Sequence, residues 1–92
     1  MSAKPKILIY GSESCNFCTA ARMLLKKKGA DYEDVLVSRD PERLAEMQQR
    51  SGSRSVPQIF IDDRRIGGFE ELHALDKSGQ LDQLLGIPSN AV

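Results

Sequence analysis

Apolar residues fall into two kinds of run along the chain. Ile7-Leu8-Ile9-Tyr10, entered at Lys6, is continuous and rich in β-branched side chains, the pattern of a strand buried on both faces. Gly11-Ser12-Glu13-Ser14 breaks it. From Asn16 the period changes, and Phe17, Ala21, Leu24 and Leu25 recur at helical intervals. Lys26-Lys27-Lys28 and Gly29 close that helix: cations suit the negative end of its dipole, and glycine suits a left-handed cap. Tyr32 to Val37 alternates as a second strand, with Val35 and Val37 on one face. Asp40-Pro41-Glu42 opens a second helix with an acceptor at the cap, a proline at the first position and an acid in the first turn. That helix turns Leu44 and Met47 inward and stops near Ser51, before Gly52. Val56 to Ile61 is an apolar strand entered through Pro57; Asp62 to Arg64 turns the chain, and Arg65-Ile66 is the short return strand of a hairpin. Gly67-Gly68 precedes a third helix, Glu70 to Ser78, with Leu72 and Leu75 buried and Gly79 as its stop. A short fourth helix, Gln80 to Leu85, ends at Gly86, and Ser89 to Val92 reads as a disordered tail.

The predicted order is β-α-β-α-β-β-α-α. Its leading βαβ unit makes two strands parallel through a right-handed crossover, and the hairpin adds two antiparallel ones. One mixed four-stranded sheet with helices on both faces, an α/β fold, accommodates all of it. The chain length of 92 residues suits a single domain, with an ordered core over about residues 6–85. Thirteen Lys and Arg balance thirteen Asp and Glu, which argues against non-specific attraction to nucleic acid or to an anionic membrane. The longest apolar stretch near the start is four residues, short of a secretory core of about 7–15 or a membrane span of about 20. A cytoplasmic setting is therefore expected.

The cysteines change the picture most. There are two, Cys15 and Cys18, three positions apart at a strand-to-helix junction. That spacing brings the sulfurs within disulfide reach. The unpaired amides and the positive dipole end at a helix start favour the Cys15 thiolate, the reactive form, whereas Cys18 points into the helix–sheet packing as a shielded thiol. Cys18 would then resolve a mixed disulfide formed on Cys15. Structural zinc needs four ligands, and beyond the cysteines the chain offers one histidine, His73, with no second histidine at ligand spacing. His73 reads as an ordinary helix residue. A structural disulfide closing so short a loop removes little entropy from the unfolded chain. A CxxC at a βα junction in a reducing compartment reads as a thioredoxin-like redox motif.

Three segments in order carry a wider resemblance: Cys15-Asn16-Phe17-Cys18, Ser55-Val56-Pro57-Gln58-Ile59-Phe60-Ile61 and Ile66-Gly67-Gly68-Phe69-Glu70-Glu71-Leu72. From Lys6 to about Leu85 the chain resembles a dithiol glutaredoxin. The resemblance implies the thioredoxin fold and a glutathione-dependent thiol–disulfide oxidoreductase with Cys15 and Cys18 as its redox pair. The substrates it implies are protein disulfides and glutathionylated proteins, with a glutathione reductase system supplying electrons to a monomeric enzyme. It also implies a cis bond before Pro57 and backbone pairing of Val56 with the cysteine of glutathione, in the manner of an added strand. The amides of Phe69 and Glu70 would take the γ-glutamyl carboxylate, and the Glu70 side chain the ammonium. Phe17, Arg54, Ser55, Pro57 and Gly68 complete the implied glutathione site.

Four positions depart from the family pattern: Asn16 stands for the usual proline, Phe17 for tyrosine, Ser12 for a common lysine and Leu44 for a glutamine or arginine. The last two remove contacts to the glycine carboxylate of glutathione, leaving Arg54, with Arg43 compensating from the second helix. A second reading stays open. Some glutaredoxins lacking that proline carry a [2Fe-2S] cluster between two monomers, each contributing its reactive cysteine, here Cys15, and a glutathione.

Overall fold

Residues 5–86 are described by the structure, a computed structural model. The first apolar run becomes β1 (Ile7–Gly11), which pairs parallel with β2 (Glu33–Leu36) and antiparallel with β3 (Gln58–Ile61); β4 (Arg64–Gly67) pairs antiparallel with β3. The sheet order is β2-β1-β3-β4. Side chains alternate between its faces. Ile7, Ile9, Ile59 and Ile61 meet α1 (Asn16–Lys27), α3 (Phe69–Ser78) and α4 (Gln80–Leu85) through Ala21, Leu25, Leu72, Leu81 and Leu85. Leu8, Tyr10 and Phe60 meet α2 (Pro41–Ser51) through Met47 on the opposite face, together with Val35 and Val37. The expected mixed sheet with helices on both faces is therefore present.

Three local differences have physical causes. β2 ends at Leu36, and Val37–Arg39 forms a 3-10 turn in which Val37 stays buried, so Val35 and Val37 share a cluster although the strand is shorter than the alternation suggested. The hairpin turn is also tighter than predicted. Asp62 and Asp63 both take positive φ (51° and 65°), the two-residue geometry that aspartate tolerates, and Arg64 already pairs with Ile61. Asp62 is fixed by the residue before β1, exchanging hydrogen bonds with Lys6 through its own amide and side chain, each 2.8 Å. Finally, Lys28 does more than complement a dipole. Its Nζ lies 2.7 Å from Asp76 and 2.8 Å from Asp82, clamping the end of α1 to α3 and α4, and bonding to Asp76 and then Asp82 raises its pKa.

Helix α2 starts as its sequence demands, with Asp40 Oδ1 accepting the Glu42 and Arg43 amides at 3.2 Å. No described helix is long and apolar enough to cross a membrane. The expected disordered tail, Ser89 to Val92, lies outside the described residues.

Leu72 is completely buried and anchors α3 to the sheet, whereas Leu75 packs only partly. Leu72→Ala is expected to lower unfolding free energy by about 2–5 kcal/mol, and Leu75→Ala clearly less. Urea unfolding followed by circular dichroism compares them, and equal losses would contradict this packing.

Candidate active site

β1 delivers the chain to Gly11, and a short loop brings Cys15 to the N-cap of α1 with extended backbone (φ −90°, ψ 115°). There its sulfur takes the place of the oxygen of a capping serine or aspartate. Cys15 Sγ accepts the Cys18 amide hydrogen at 3.1 Å, while the Cys15 carbonyl accepts both the amide (3.1 Å) and the hydroxyl (3.2 Å) of Thr19. A thiolate fills this acceptor role better than a thiol, because a charge-assisted hydrogen bond is the stronger one. On its other side Cys15 Sγ faces the Val56 carbonyl, 3.9 Å away.

Cys18 is wholly buried in the first turn, and both thiols are free. Burial pushes the Cys18 thiol up to about 11, the neighbouring Cys15 sulfur adds to this, and the Arg22 charge opposes it weakly. The two sulfurs thus differ in burial, Cys15 half-buried and Cys18 wholly buried. Space for Cys18 comes from Gly11: a Cβ there would lie 2.9 Å from Cys18 Sγ. Arg22 braces the same loop, donating from Nη2 to the Ser12 carbonyl (3.1 Å) and from Nε to Asp34 (3.1 Å).

The Val56–Pro57 bond is cis, as the resemblance implied. The loop that presents it is held by three alternate serines. The Ser51 hydroxyl accepts the Ser53 amide, the Ser53 hydroxyl accepts the Ser55 amide, and both bonds are 3.1 Å. Gln58, only 3% exposed, donates from Nε2 to the Ser55 carbonyl at 3.0 Å and accepts from Arg65 Nε at 3.3 Å. No polar atom of this buried amide is wasted.

Opposite stands α3, capped by Gly68. Glu71 reaches back so that its Oε1 accepts the Gly68 amide at 2.6 Å. The expected reason for the glycine pair was close backbone approach to a ligand. Glu71 supplies a nearer one: a Cβ on Gly67 (φ 117°) would lie 2.9 Å from Glu71 Oε1. Leu72 makes the first helical bond, to the Gly68 carbonyl at 3.1 Å, so the Phe69, Glu70 and Glu71 amides have no acceptor within the helix.

Seven of the eight residues assigned above to ligand binding line one groove of about 220 Å³ between Phe17, the Val56–Pro57 loop and the start of α3. Phe17 is 61% exposed and stacks on Phe69 (6.2 Å, 28°), which stacks in turn on His73 (5.6 Å, 16°), so His73 extends an aromatic rim. Arg54 is the exception. It is exposed and outside the groove lining. Arg43 does not compensate for the missing contacts either. It lies on the α2 side of the sheet, 3.3 Å from Glu46 and 3.7 Å from Glu33, with its guanidinium 6.0 Å from the Tyr10 ring. Leu44 packs there too. Three groove residues were not singled out as site residues in the sequence: Gln58, Arg65 and Glu71. The one available signal was Glu71 three residues after Gly68, the spacing of a side chain that returns to its own helix cap. Among the described residues of a single chain, no three potential ligands gather around a metal position.

The family model for glutaredoxin matches residues 7–66. A glutaredoxin of Pseudomonas aeruginosa is 41% identical over 81 residues, 88% of this chain and 96% of that protein. The solution structure of a glutaredoxin from Brucella melitensis superposes with a TM-score of 0.79 at 42% identity, covering 91% of each chain. A buckwheat glutaredoxin solved with glutathione has the same fold, with a TM-score of 0.82 at 24% identity over 89% of this chain and 77% of that one. With the paired cysteines at the helix start, the cis proline and the glycine-led third helix in the places that this fold requires, the chain belongs to the glutaredoxin family.

Proposed function

We propose that this protein is a glutathione-dependent thiol–disulfide oxidoreductase, reducing glutathionylated thiols through Cys15 and protein disulfides through Cys15 and Cys18. The observation that carries this reading is the placement of Cys15 Sγ. It is capped by the Cys18 amide at 3.1 Å and lies 3.9 Å from the Val56 carbonyl, beside a groove whose far wall ends in two helix-start amides. The buckwheat relative, whose structure includes glutathione, adds support for that ligand. In the groove, Val56 would pair with the ligand's cysteine backbone, Phe69 and Glu70 amides would take the γ-glutamyl carboxylate, and the Glu70 carboxylate its ammonium.

In deglutathionylation the Cys15 thiolate attacks the glutathionyl sulfur of a mixed disulfide. A bond forms between Cys15 Sγ and glutathione, the substrate S–S bond breaks, and the protein leaves as a thiolate that takes a proton from water. A second glutathione thiolate then attacks the sulfur of the bound glutathione, giving glutathione disulfide and regenerating the Cys15 thiolate. Its electrons return from glutathione reductase. With a protein disulfide, Cys15 first forms a mixed disulfide with the protein. Cys18 gives up its proton and attacks Cys15 Sγ, the second protein thiolate leaves, and the Cys15–Cys18 disulfide remains for two glutathiones to reduce. Burial makes Cys18 a slow nucleophile, which gives the glutathionyl intermediate time to meet its second glutathione. Such a cycle suits a reducing compartment such as the cytoplasm.

Three outcomes test this reading. Cys15→Ser is expected to abolish both activities, while Cys18→Ser keeps deglutathionylation in a glutathione reductase-coupled assay and loses dithiol turnover; equal loss in both variants contradicts the roles. The second concerns pH. Burial, the largest cause of the raised Cys18 pKa, persists when Cys15 is blocked, so Cys18 attacks as its minor thiolate form and the rate must climb with pH through the free-thiol range. With thionitrobenzoate disulfide-bonded to Cys15 and no free glutathione, release of the yellow thiolate should accelerate about tenfold per pH unit between about 7 and 9. A plateau near the free-thiol range, about 8.5, would show that Cys18 is not buried as described. Third, Gly11→Ala forces a methyl group against Cys18 Sγ. The overpacking should cost about 1–3 kcal/mol in denaturant unfolding and slow that release more than it slows deglutathionylation.

A further inference from the structure

We propose that Arg22 is a positioning residue for the resolving step: it holds Ser12 by its carbonyl so that the Ser12 amide faces the Cys18 sulfur and stabilises the thiolate that must form there. This rests on the dithiol half of the functional reading above. Cys18 Sγ and Arg22 Nη2 meet on the same stretch of backbone. A Cβ at Gly11 would lie 2.9 Å from the sulfur and 3.2 Å from the guanidinium nitrogen. The next residue is Ser12. Its carbonyl accepts from Arg22 Nη2 at 3.1 Å, and its amide bonds to the Cys18 sulfur, which favours the ionised form. Arg22 is itself held from β2, with its Nε 3.1 Å from both carboxylate oxygens of Asp34 and its side chain only 17% exposed. A guanidinium paired in this way has little free charge to offer. It acts on Cys18 by placing Ser12 more than through its own field.

The chemistry of resolution creates the need. Burial is the largest cause that keeps Cys18 protonated, and Cys15 adds to it. Once Cys15 carries a partner in a mixed disulfide it is no longer a thiol or thiolate, so its share is gone while burial stays. The groups left to oppose burial are the Ser12 amide and Arg22, with Asp34 facing the guanidinium from its other side. In the resolving step the Cys18 S–H bond breaks and its proton passes to solvent. The thiolate attacks Cys15 Sγ, the Cys15–Cys18 bond forms, and the bond from Cys15 to the partner breaks, its electron pair leaving on the partner's sulfur. Negative charge therefore develops at a wholly buried atom, where a donor fixed in advance is worth most. Deglutathionylation through Cys15 has no such step, so this arrangement serves the dithiol path.

Two measurements on the full chain test this. In the first, thionitrobenzoate is disulfide-bonded to Cys15 and its release is followed at neutral pH without free glutathione. Arg22→Met is expected to slow release about three- to tenfold. Arg22→Lys, which can still donate to the Ser12 carbonyl, should recover part of the loss. In the second, ionisation of Cys18 is followed by NMR at its Cβ in the Cys15→Ser background. Adding Arg22→Met there should weaken the acidity of the Cys18 thiol by about the same three- to tenfold. Near-ultraviolet circular dichroism checks that each variant keeps its packing. Slower release with an unmoved Cys18 titration makes Arg22 only a brace of the loop and overturns the proposal. Release from Arg22→Met at the wild-type rate overturns it as well. In both cases the functional reading stands, because release from the wild type already shows Cys18 resolving Cys15. A wild-type protein that releases no thionitrobenzoate overturns the dithiol reading and the proposal with it.

Discussion

The amide hydrogen of Cys18, bonded to Cys15 Sγ at 3.1 Å, ties the fold to the chemistry. A helix start leaves amides without partners, and a capping side chain is worth about 0.5–2 kcal/mol. Here the acceptor is sulfur, a weak one while it carries a proton and a strong one when ionised. The same residue that donates this amide sends its own side chain into the core, where Gly11 leaves room for it. One turn of α1 thus separates an accessible sulfur from an inaccessible one by backbone geometry alone. The parallel pairing of β1 with β2 and the packing of Ala21 and Leu25 against the sheet hold that turn at the end of β1.

Much of this was legible in the residue order. The period change after Gly11, the Asp40-Pro41 helix start and the glycine stops gave the elements, and the spacing of the cysteines gave their unequal burial. Elements that depend on backbone hydrogen bonds over a few residues were less so. Nothing in Tyr32 to Val37 distinguishes a continuous strand from one that ends in a 3-10 turn, because Val37 is buried either way. The site was legible where backbone does the work, at Val56, Gly68 and Phe69, and poorly legible where side chains from distant segments meet. Arg54 is next to Ser55 yet lies outside the groove lining; Arg65, eleven positions after Arg54, lines the groove because β3 and β4 pair.

The glycine pair before α3 shows how a local motif can answer to two requirements at once. A Cβ on Gly67 would meet the Glu71 carboxylate, which accepts the Gly68 amide, and the positive φ of 117° independently favours glycine there. That internal bond removes one donor from the helix start and leaves the amides of Phe69, Glu70 and Glu71 without an acceptor within the helix.

A chain of zero formal charge still places its charges with purpose. Lys28 is spent between Asp76 and Asp82, where it holds three helices together. On the α2 face the buried Tyr10 hydroxyl bonds to Glu46 and accepts from Arg50 Nη1 at 2.7 Å, while the Arg50 guanidinium lies 4.2 Å from the centre of the Phe60 ring. Burial raises the Tyr10 pKa, and its bond to Glu46 raises it further. Arg43 is drawn into the same group by Glu46 and Glu33. Leu44, beside it, joins the apolar packing of that face. Helix α2 is thereby committed to the sheet and supplies no cation to the groove. The one cation that lines the groove among the described residues, Arg65, comes from the edge strand β4 and donates to the buried Gln58.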